Sequence, residues 1–96
     1  MRKGYVYILG NRGRTAFYIG VTSSLARRMR LHQEDSGSVF ARRYKMKDLL
    51  YYEEHPTAAG AIRREKQLKN WHQEWKINLV RAANPEMGDL TGEVRT

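Results

Sequence analysis

Apolar and aromatic residues fall in two short runs near the N-terminus, with a polar segment between them. Segments 4–9 and 16–21 are rich in β-branched and aromatic residues, and the intervening 10–15 contains two glycines and an asparagine. Strand-forming runs on either side of such a segment are typical of a β-hairpin. We therefore predict an antiparallel hairpin here.

A helical segment follows the hairpin. Residues 22–24 are Thr-Ser-Ser, whose hydroxyl oxygens can cap a helix N-terminus, and a helix is predicted over 25–32. Segment 39–44, farther along, fits either a short helix or a loop. The order up to this point is strand, strand, helix.

The second half of the chain predicts one more strand and two more helices. Segment 48–55 has strand character and is closed by Pro56, which cannot donate to a sheet ladder. Helices are predicted over 58–70 and over 73–83, and the second stops before Pro85. The predicted fold class is α/β, with a small three-stranded sheet that contains the antiparallel N-terminal hairpin and is flanked by helices.

Length and composition limit the chain to one domain. It has 96 residues, of which 41% are hydrophobic, and we assign the domain to 1–83 and a short, loosely docked extension to 84–96.

The composition also excludes several kinds of site. The chain contains no cysteine, which excludes disulfides, thiol catalysis and cysteine-ligated metal sites. The longest apolar run near the N-terminus, at 5–9, is too short for a membrane span. We expect a cytoplasmic protein without membrane association.

Charge is the feature that indicates a partner. The 18 Lys and Arg residues against 10 Asp and Glu give a net charge of +8, and the excess lies in three segments, 1–21, 22–47 and 61–83. A disordered arm would concentrate this charge in one run, so a folded basic surface that binds a phosphate backbone fits better. The alternative is a solvated face that serves solubility alone.

Glu65 interrupts the apolar stripe of the predicted helix 58–70. At 3.6 residues per turn, this carboxylate shares a face with four apolar residues, Ala58, Ala61, Ile62 and Leu68. An inward carboxylate costs on the order of several kcal/mol unless it is paired or binds a cation. Glu65 is therefore a metal ligand, one half of an ion pair with an arginine, or a residue exposed by rotation of the helix.

The helix 25–32 and the strands supply further groups that can act on a phosphate. Arg28 and His32 share the apolar face of that helix; a guanidinium suits phosphate, and an imidazole can carry a proton near neutral pH. A strand tyrosine is a poor base unless a cation or an arginine lowers its pKa. A catalytic site therefore requires that the strand tyrosines, Arg28 and Glu65 converge in the fold.

Four motifs stand in a characteristic order along the chain. They are Tyr5-Val6-Tyr7, Tyr18-Ile19-Gly20, the segment 20–32 with its basic pair, and the segment 64–69. Together they resemble the GIY-YIG nuclease superfamily, over about residues 4–80, and are most similar to its small, stand-alone bacterial members. The resemblance implies a Mg²⁺-dependent endonuclease, with Mn²⁺ as a substitute ion, that cuts a DNA phosphodiester by one in-line displacement.

The resemblance also implies which residues bind the metal and the phosphate. Glu65 would be the single protein ligand of the metal. Arg28, three residues beyond Leu25 and four before His32, would contact the scissile phosphate, and Arg27 is the alternative for that role.

Proton transfer would fall to tyrosines and a histidine. Tyr7 and Tyr18 match the two motif tyrosines, one of which would activate water directly or through a hydrogen-bonded network. His32 would assist that transfer or orient a tyrosine. The remaining assignments place Tyr5 and Asn78 near the active site, and Arg27, Arg64 and Lys69 on the nucleic acid.

The sequence contains no separate sequence-recognition domain, so cleavage is expected to follow DNA structure or to be weakly sequence-specific. A catalytically inactive nucleic-acid-binding module, with a steep salt dependence, is the alternative, and a protein-interaction adaptor is a third function. The complete residue set favours the enzyme, because a pure binder does not need an inward carboxylate that repels phosphate. The oligomeric state, a choice between DNA and RNA, and a choice between DNA repair, recombination and defence stay open.

Overall fold

The computed structural model describes residues 3–33 and 46–94, without the side chains of residues 32 and 33. The segment 39–44, for which the sequence leaves helix and loop open, lies outside this part. The described elements, in chain order, are β1 (Gly4–Gly10), β2 (Phe17–Thr22), α1 (Leu25–Gln33), β3 (Asp48–His55), α2 (Ala58–Lys69), α3 (Gln73–Ala83) and a 3₁₀ turn (Thr91–Glu93). Among the described residues, none of the helices has the length and apolar character needed to cross a bilayer.

The three strands form one antiparallel sheet in the order β2-β1-β3. Central strand β1 places Tyr7 opposite Gly20 of β2 and opposite Tyr52 of β3. The predicted three-stranded sheet with its antiparallel hairpin and flanking helices is thereby confirmed. The predicted element bounds agree with the observed ones to within a residue or so, as expected for helix and strand ends.

Strand β1 separates two hydrophobic clusters, because successive side chains of a strand point to opposite faces. The cluster against α2 and α3 includes Val6, Ile8, Ala61, Leu68 and Val80. The cluster against α1 includes Tyr7, Leu9, Leu25, Met29 and Leu49. The central strand is therefore covered on both faces, and the Tyr7 phenol belongs to the core on the α1 side.

The C-terminal extension packs more closely on the domain than its composition predicts. Met87 is 9% exposed and joins the cluster against α2 and α3. The Leu49 backbone N–H donates to Asp89 Oδ1 at 2.9 Å, and the Leu90 backbone N–H donates to the Leu49 carbonyl at 2.7 Å. Arg14, in the hairpin turn, also donates to the Met87 carbonyl at 3.0 Å. These contacts use mostly backbone groups, which a pattern of side chains does not reveal.

A polar network around Glu53 holds α2 on β3. The Glu53 carboxylate accepts hydrogen bonds from Tyr51 Oη at 2.5 Å and from Arg64 Nε at 2.9 Å, and it lies 2.8 Å from His55 Nε2. Burial acts to raise the pKa of Glu53, but the hydrogen bonds from Tyr51, His55 and Arg64 outweigh burial and leave it below the ordinary value of 4.5. Because Arg64 belongs to α2, the network joins helix and sheet.

This network predicts an acid-sensitive contribution to stability. The pKa of Glu53 is lower in the folded than in the unfolded chain, so its contribution is complete above about pH 4.5 and is lost as the pH falls through the folded value. We expect Glu53→Gln to be less stable than wild type at neutral pH, by roughly 1–3 kcal/mol. Its melting temperature, followed by circular dichroism, should then fall less than that of wild type between about pH 5 and pH 3.

Glu54→Gln is the matched control, because Glu54 is the next residue of β3 and its side chain is 49% exposed, paired with Lys3 at 3.3 Å. That variant should keep most of the wild-type acid dependence. Equal slopes for Glu53→Gln and wild type would show that the Glu53 network does not respond to acid.

Candidate active site

Tyr7 and Gly20 form the floor of the candidate site. They stand opposite each other in the β1–β2 pair, and the Tyr7 ring lies directly over Gly20. A Cβ atom built on Gly20 would be 2.4 Å from both Cζ and Oη of Tyr7, a separation that atoms do not tolerate. Gly20 does not adopt a positive φ, so its requirement is space rather than backbone freedom. The glycine of the second motif therefore exists to accommodate the tyrosine of the first.

Tyr18 connects the buried Tyr7 to the surface. The two rings are tilted by 44° with centroids 6.3 Å apart, and a hydrogen bond joins the two phenols. Tyr7 is 1% exposed, whereas Tyr18 is half-buried. Tyr5, on the same face of β1, instead donates from its hydroxyl to Glu54 Oε1 at 3.1 Å, towards β3. The pair Tyr7–Tyr18 is thus the hydrogen-bonded unit, and Tyr5 has a different partner.

Arg28 lies in a cleft of about 280 Å³ at one end of the sheet. Its Nε atom is buried and has no hydrogen-bond partner among the described residues. Leaving a buried donor unpaired costs about 1–3 kcal/mol, a cost that an acceptor reaching this nitrogen would remove. Arg27, the alternative phosphate ligand, is exposed on α1. Of the two arginines, the structure places Arg28 in the cleft.

Three further polar residues line this cleft and were missed as site residues from the sequence. They are Lys3, Thr22 and Ser23. Thr22 and Ser23 carry the signal of a helix cap, which hid any other use. The signal that could have revealed them is antiparallel pairing, because the start of β1 and the end of β2 must meet at the same end of the hairpin.

Glu65 has the inward orientation that its position in the apolar stripe predicts. Its side chain is 15% exposed, and Ala61 and Leu68 of the same stripe are fully buried. The stripe is not buried along its whole length, since Ile62 is 44% exposed. The Glu65 carboxylate forms an ion pair with Lys69 Nζ at 3.3 Å. The pairing considered from the sequence therefore occurs, with a lysine of the next turn rather than with an arginine.

Tyr7 interacts electrostatically with groups on both flanking helices. Burial raises the pKa of Tyr7 well above its ordinary value of 10, Tyr18 acts in the same direction, Arg28 opposes it, and Glu65 raises it further. Arg28 thus acts in the direction expected from the sequence but is outweighed by burial. In this structure, Tyr7 is a neutral phenol at neutral pH, surrounded by Tyr18, Arg28 and Glu65.

The remaining predicted site residues differ in their exposure and in their contacts. Asn78 is exposed on α3, and Lys69 is the partner of Glu65. Arg64 is engaged with Glu53 and also donates to Gln67 Oε1 at 2.6 Å. The side chain of His32 lies outside the described residues. The functional roles assigned to these four residues, like those of the other site residues, stay predictions.

The metal-binding groups in the described part of the chain are few, which suits an ion that keeps most of its water ligands. Among the described residues, no group of three or more histidine or carboxylate side chains is arranged to hold a metal. Mg²⁺ keeps several of its waters and is commonly bound by one or two carboxylates together with substrate phosphates. Glu65, with a largely buried carboxylate beside the tyrosine pair, fits this mode of binding.

The contact of Tyr7 with Gly20 predicts the result of a single added methyl group. Gly20→Ala should lower the free energy of unfolding by roughly 1–3 kcal/mol in urea titrations, because the Tyr7 ring must move within a packed core. Gly88→Ala is the control, since a Cβ there meets no atom within 4 Å. If the two variants were equally stable, the phenol could move aside without cost, and the floor of the site would not be rigid.

Comparison with known proteins relates this chain to a family of catalytic domains. The family model of the GIY-YIG catalytic domain matches residues 3–78. The chain is 30% identical over 79 residues to a UPF0213 protein of Streptococcus sanguinis, which covers 82% of this chain and 90% of that protein. It is 26% identical over 80 residues to a UPF0213 protein of Staphylococcus haemolyticus, which covers 83% of this chain and 96% of that protein. No solved structure gives a significant match.

The family match includes every element that carries the candidate site, from β1 through α2, and it extends into α3. The tyrosine pair, the cleft arginine and the inward glutamate all lie within it. The chain therefore belongs to the GIY-YIG nuclease family.

Proposed function

We propose that this protein is a metal-dependent endonuclease that hydrolyses DNA phosphodiester bonds and selects its substrate by DNA structure or with weak sequence specificity. The observation that carries the proposal is the convergence of Tyr18, Arg28 and Glu65 on the Tyr7 phenol. These four residues come from β2, α1, α2 and β1 respectively, so no local structural requirement explains why they meet. A titratable group as strongly perturbed as Tyr7, with charged neighbours from other elements, is a signature of catalytic sites.

Arg28 supplies the contact with the scissile phosphate. Its unpartnered Nε can donate to a non-bridging phosphate oxygen, and the guanidinium charge strengthens this hydrogen bond. The donor is already buried and oriented, so it loses little freedom as negative charge develops on the phosphate oxygens. Arg28 therefore binds the substrate and stabilises the charge of the transition state.

Glu65 would hold the divalent ion through its carboxylate, with Mg²⁺ as the expected ion and Mn²⁺ as a substitute. When bound, the ion would supply charge stabilisation to the phosphate and to the leaving oxygen. Lys69 now neutralises Glu65 from a side chain that is 52% exposed, so water screens the ammonium and weakens its hold on the carboxylate. Lys69 can consequently turn to a neighbouring phosphate when its carboxylate partner is occupied.

The tyrosine pair takes part in removing the proton from the attacking water. Burial keeps Tyr7 neutral at neutral pH, so it acts by hydrogen bonding and proton relay rather than as a permanent tyrosinate. The more exposed Tyr18 provides the route by which a proton passes from Tyr7 to solvent. The new bond from the water oxygen to phosphorus forms as the bond to the leaving oxygen breaks on the opposite side.

One observation favours the alternative of an inactive nucleic-acid-binding module. The Glu65–Lys69 ion pair already compensates the inward carboxylate, so the fold itself does not need a metal there. A net charge of +8 suits DNA binding under both functions. The two functions differ in turnover, which the following substitutions test.

Glu65→Gln should abolish cleavage while DNA binding stays intact or becomes stronger, because the amide lacks the charge that holds the ion and that repels phosphate. The measurement is cleavage of supercoiled plasmid and of branched and single-stranded oligonucleotides with Mg²⁺, Mn²⁺ or EDTA. Glu74→Gln, on the exposed side of α3, is the control for loss of one negative charge. Wild-type activity in Glu65→Gln would remove Glu65 from the site, and binding without cleavage by wild type would favour the inactive module.

Arg28→Ala should reduce the single-turnover cleavage rate by about two orders of magnitude or more, because a preorganised donor to the developing charge is lost. Arg27→Ala removes the same charge from the exposed neighbouring position and should change the rate only several-fold. If Arg27→Ala were the more damaging substitution, the phosphate contact would belong to Arg27.

A further inference from the structure

Three aromatic side chains form a cluster where α2 passes into α3. We refer to Trp71, His72 and Trp75 as the aromatic cluster. The Trp71 and Trp75 ring centroids are 6.0 Å apart at an interplanar angle of 82°, and those of His72 and Trp75 are 5.3 Å apart at 84°. These edge-to-face contacts fix the rings relative to one another.

Trp75 is the exposed member of the aromatic cluster. It is 53% exposed, although indoles are usually among the most extensively buried side chains. Trp71, in contrast, packs against the core cluster on the α2 side, and the Arg64 guanidinium lies 5.2 Å from its ring centroid. The cluster therefore combines one tryptophan packed against the core, Trp71, with one that is exposed to solvent, Trp75.

The segment that carries the aromatic cluster has a net positive charge. Segment 61–83 contains six Lys and Arg residues against two Glu. Arg63, Lys66 and Arg81 of this segment are exposed. Proteins that bind single-stranded nucleic acid combine such a basic surface with aromatic side chains on which bases stack. A cationic or neutral apolar partner would gain nothing from this field.

The aromatic cluster follows Glu65 closely along the chain. Lys69, whose ammonium pairs with Glu65, precedes Trp71 by two residues. Arg64, which lies over the Trp71 ring, is the immediate neighbour of Glu65 on α2. A strand whose phosphate is bound beside Glu65 could therefore continue along the end of α2 to the cluster.

We propose that the aromatic cluster is a stacking site for an unpaired nucleotide base, with Trp75 as the contacting ring. The inference rests on the proposed function, in that the partner is nucleic acid. It adds that the structural feature selected in the substrate is a single-stranded segment. Bases inside a duplex are stacked on one another and present no free face to an indole. The site would accordingly favour substrates with a single-stranded segment over continuous duplex.

The two tryptophans of the chain are both in the aromatic cluster, so tryptophan fluorescence, excited selectively over the six tyrosines, reports on it alone. We expect oligothymidylate to quench this fluorescence in EDTA more strongly than a hairpin duplex of equal phosphate number does. In anisotropy titrations of labelled oligonucleotides with the full chain, Trp75→Ala should weaken oligothymidylate binding about 5- to 100-fold, the usual effect of losing a base-stacking ring. Trp75→Phe keeps a π-face and should retain most of the affinity.

Gln73→Ala, an exposed neutral change on the same helix, is the matched control and should bind as wild type does. Equal affinity of Trp75→Ala and wild type for oligothymidylate would overturn the stacking site while leaving the proposed nuclease function intact. The same loss for duplex as for single strand would also overturn it, and so would a dimer of the wild type that Trp75→Ala dissociates in sedimentation. Failure of wild type to bind any DNA at low salt would overturn both proposals.

Discussion

The close approach of the Tyr7 ring to the Gly20 backbone is the contact on which the site depends. It occurs between paired residues of β1 and β2, and a single Cβ on Gly20 would overlap the phenol. The ring and hydroxyl of Tyr7 lie against Gly20, and the phenol interacts there with Tyr18, with Arg28 of α1 and with Glu65 of α2. The absence of a Cβ atom on Gly20 thus allows the core residue Tyr7 to lie next to the other residues of the candidate site.

Helix α2 must have one particular rotation about its axis for the site to exist. Arg64 and Glu65 are consecutive residues, which places them about 100° apart around the helix. Glu53 on β3 holds Arg64 on the sheet face that carries Val6, which leaves Glu65 directed towards the Tyr7 side. The interaction that docks the helix on the sheet therefore also orients the carboxylate.

The residues on which the proposals rest are ones whose interactions the fold leaves incomplete. Arg28 Nε is buried without a partner among the described residues, Glu65 is largely buried with only a half-exposed lysine beside it, and Trp75 is an indole held in water. The unpaired Arg28 donor costs folding free energy, the Glu65 carboxylate is compensated by a lysine that is itself half-exposed, and the Trp75 indole keeps apolar surface in water. A phosphate, a divalent ion and a nucleotide base, respectively, have the chemistry that would complete these three arrangements.

The sequence by itself determined the elements and most of the candidate residues, because strand propensity, caps and helical periodicity are local and Glu65 stands out against an apolar stripe. It also predicted the antiparallel hairpin, whereas the register that sets Tyr7 opposite Gly20 is given by the structure. The tertiary structure alone decided that Lys3, Thr22 and Ser23 join Arg28 in the cleft, that Lys69 is the partner of Glu65, and that burial outweighs Arg28 in setting the pKa of Tyr7. These outcomes depend on distances between separate elements and on the loss of water around them, and neither quantity is encoded in residue spacing along one element.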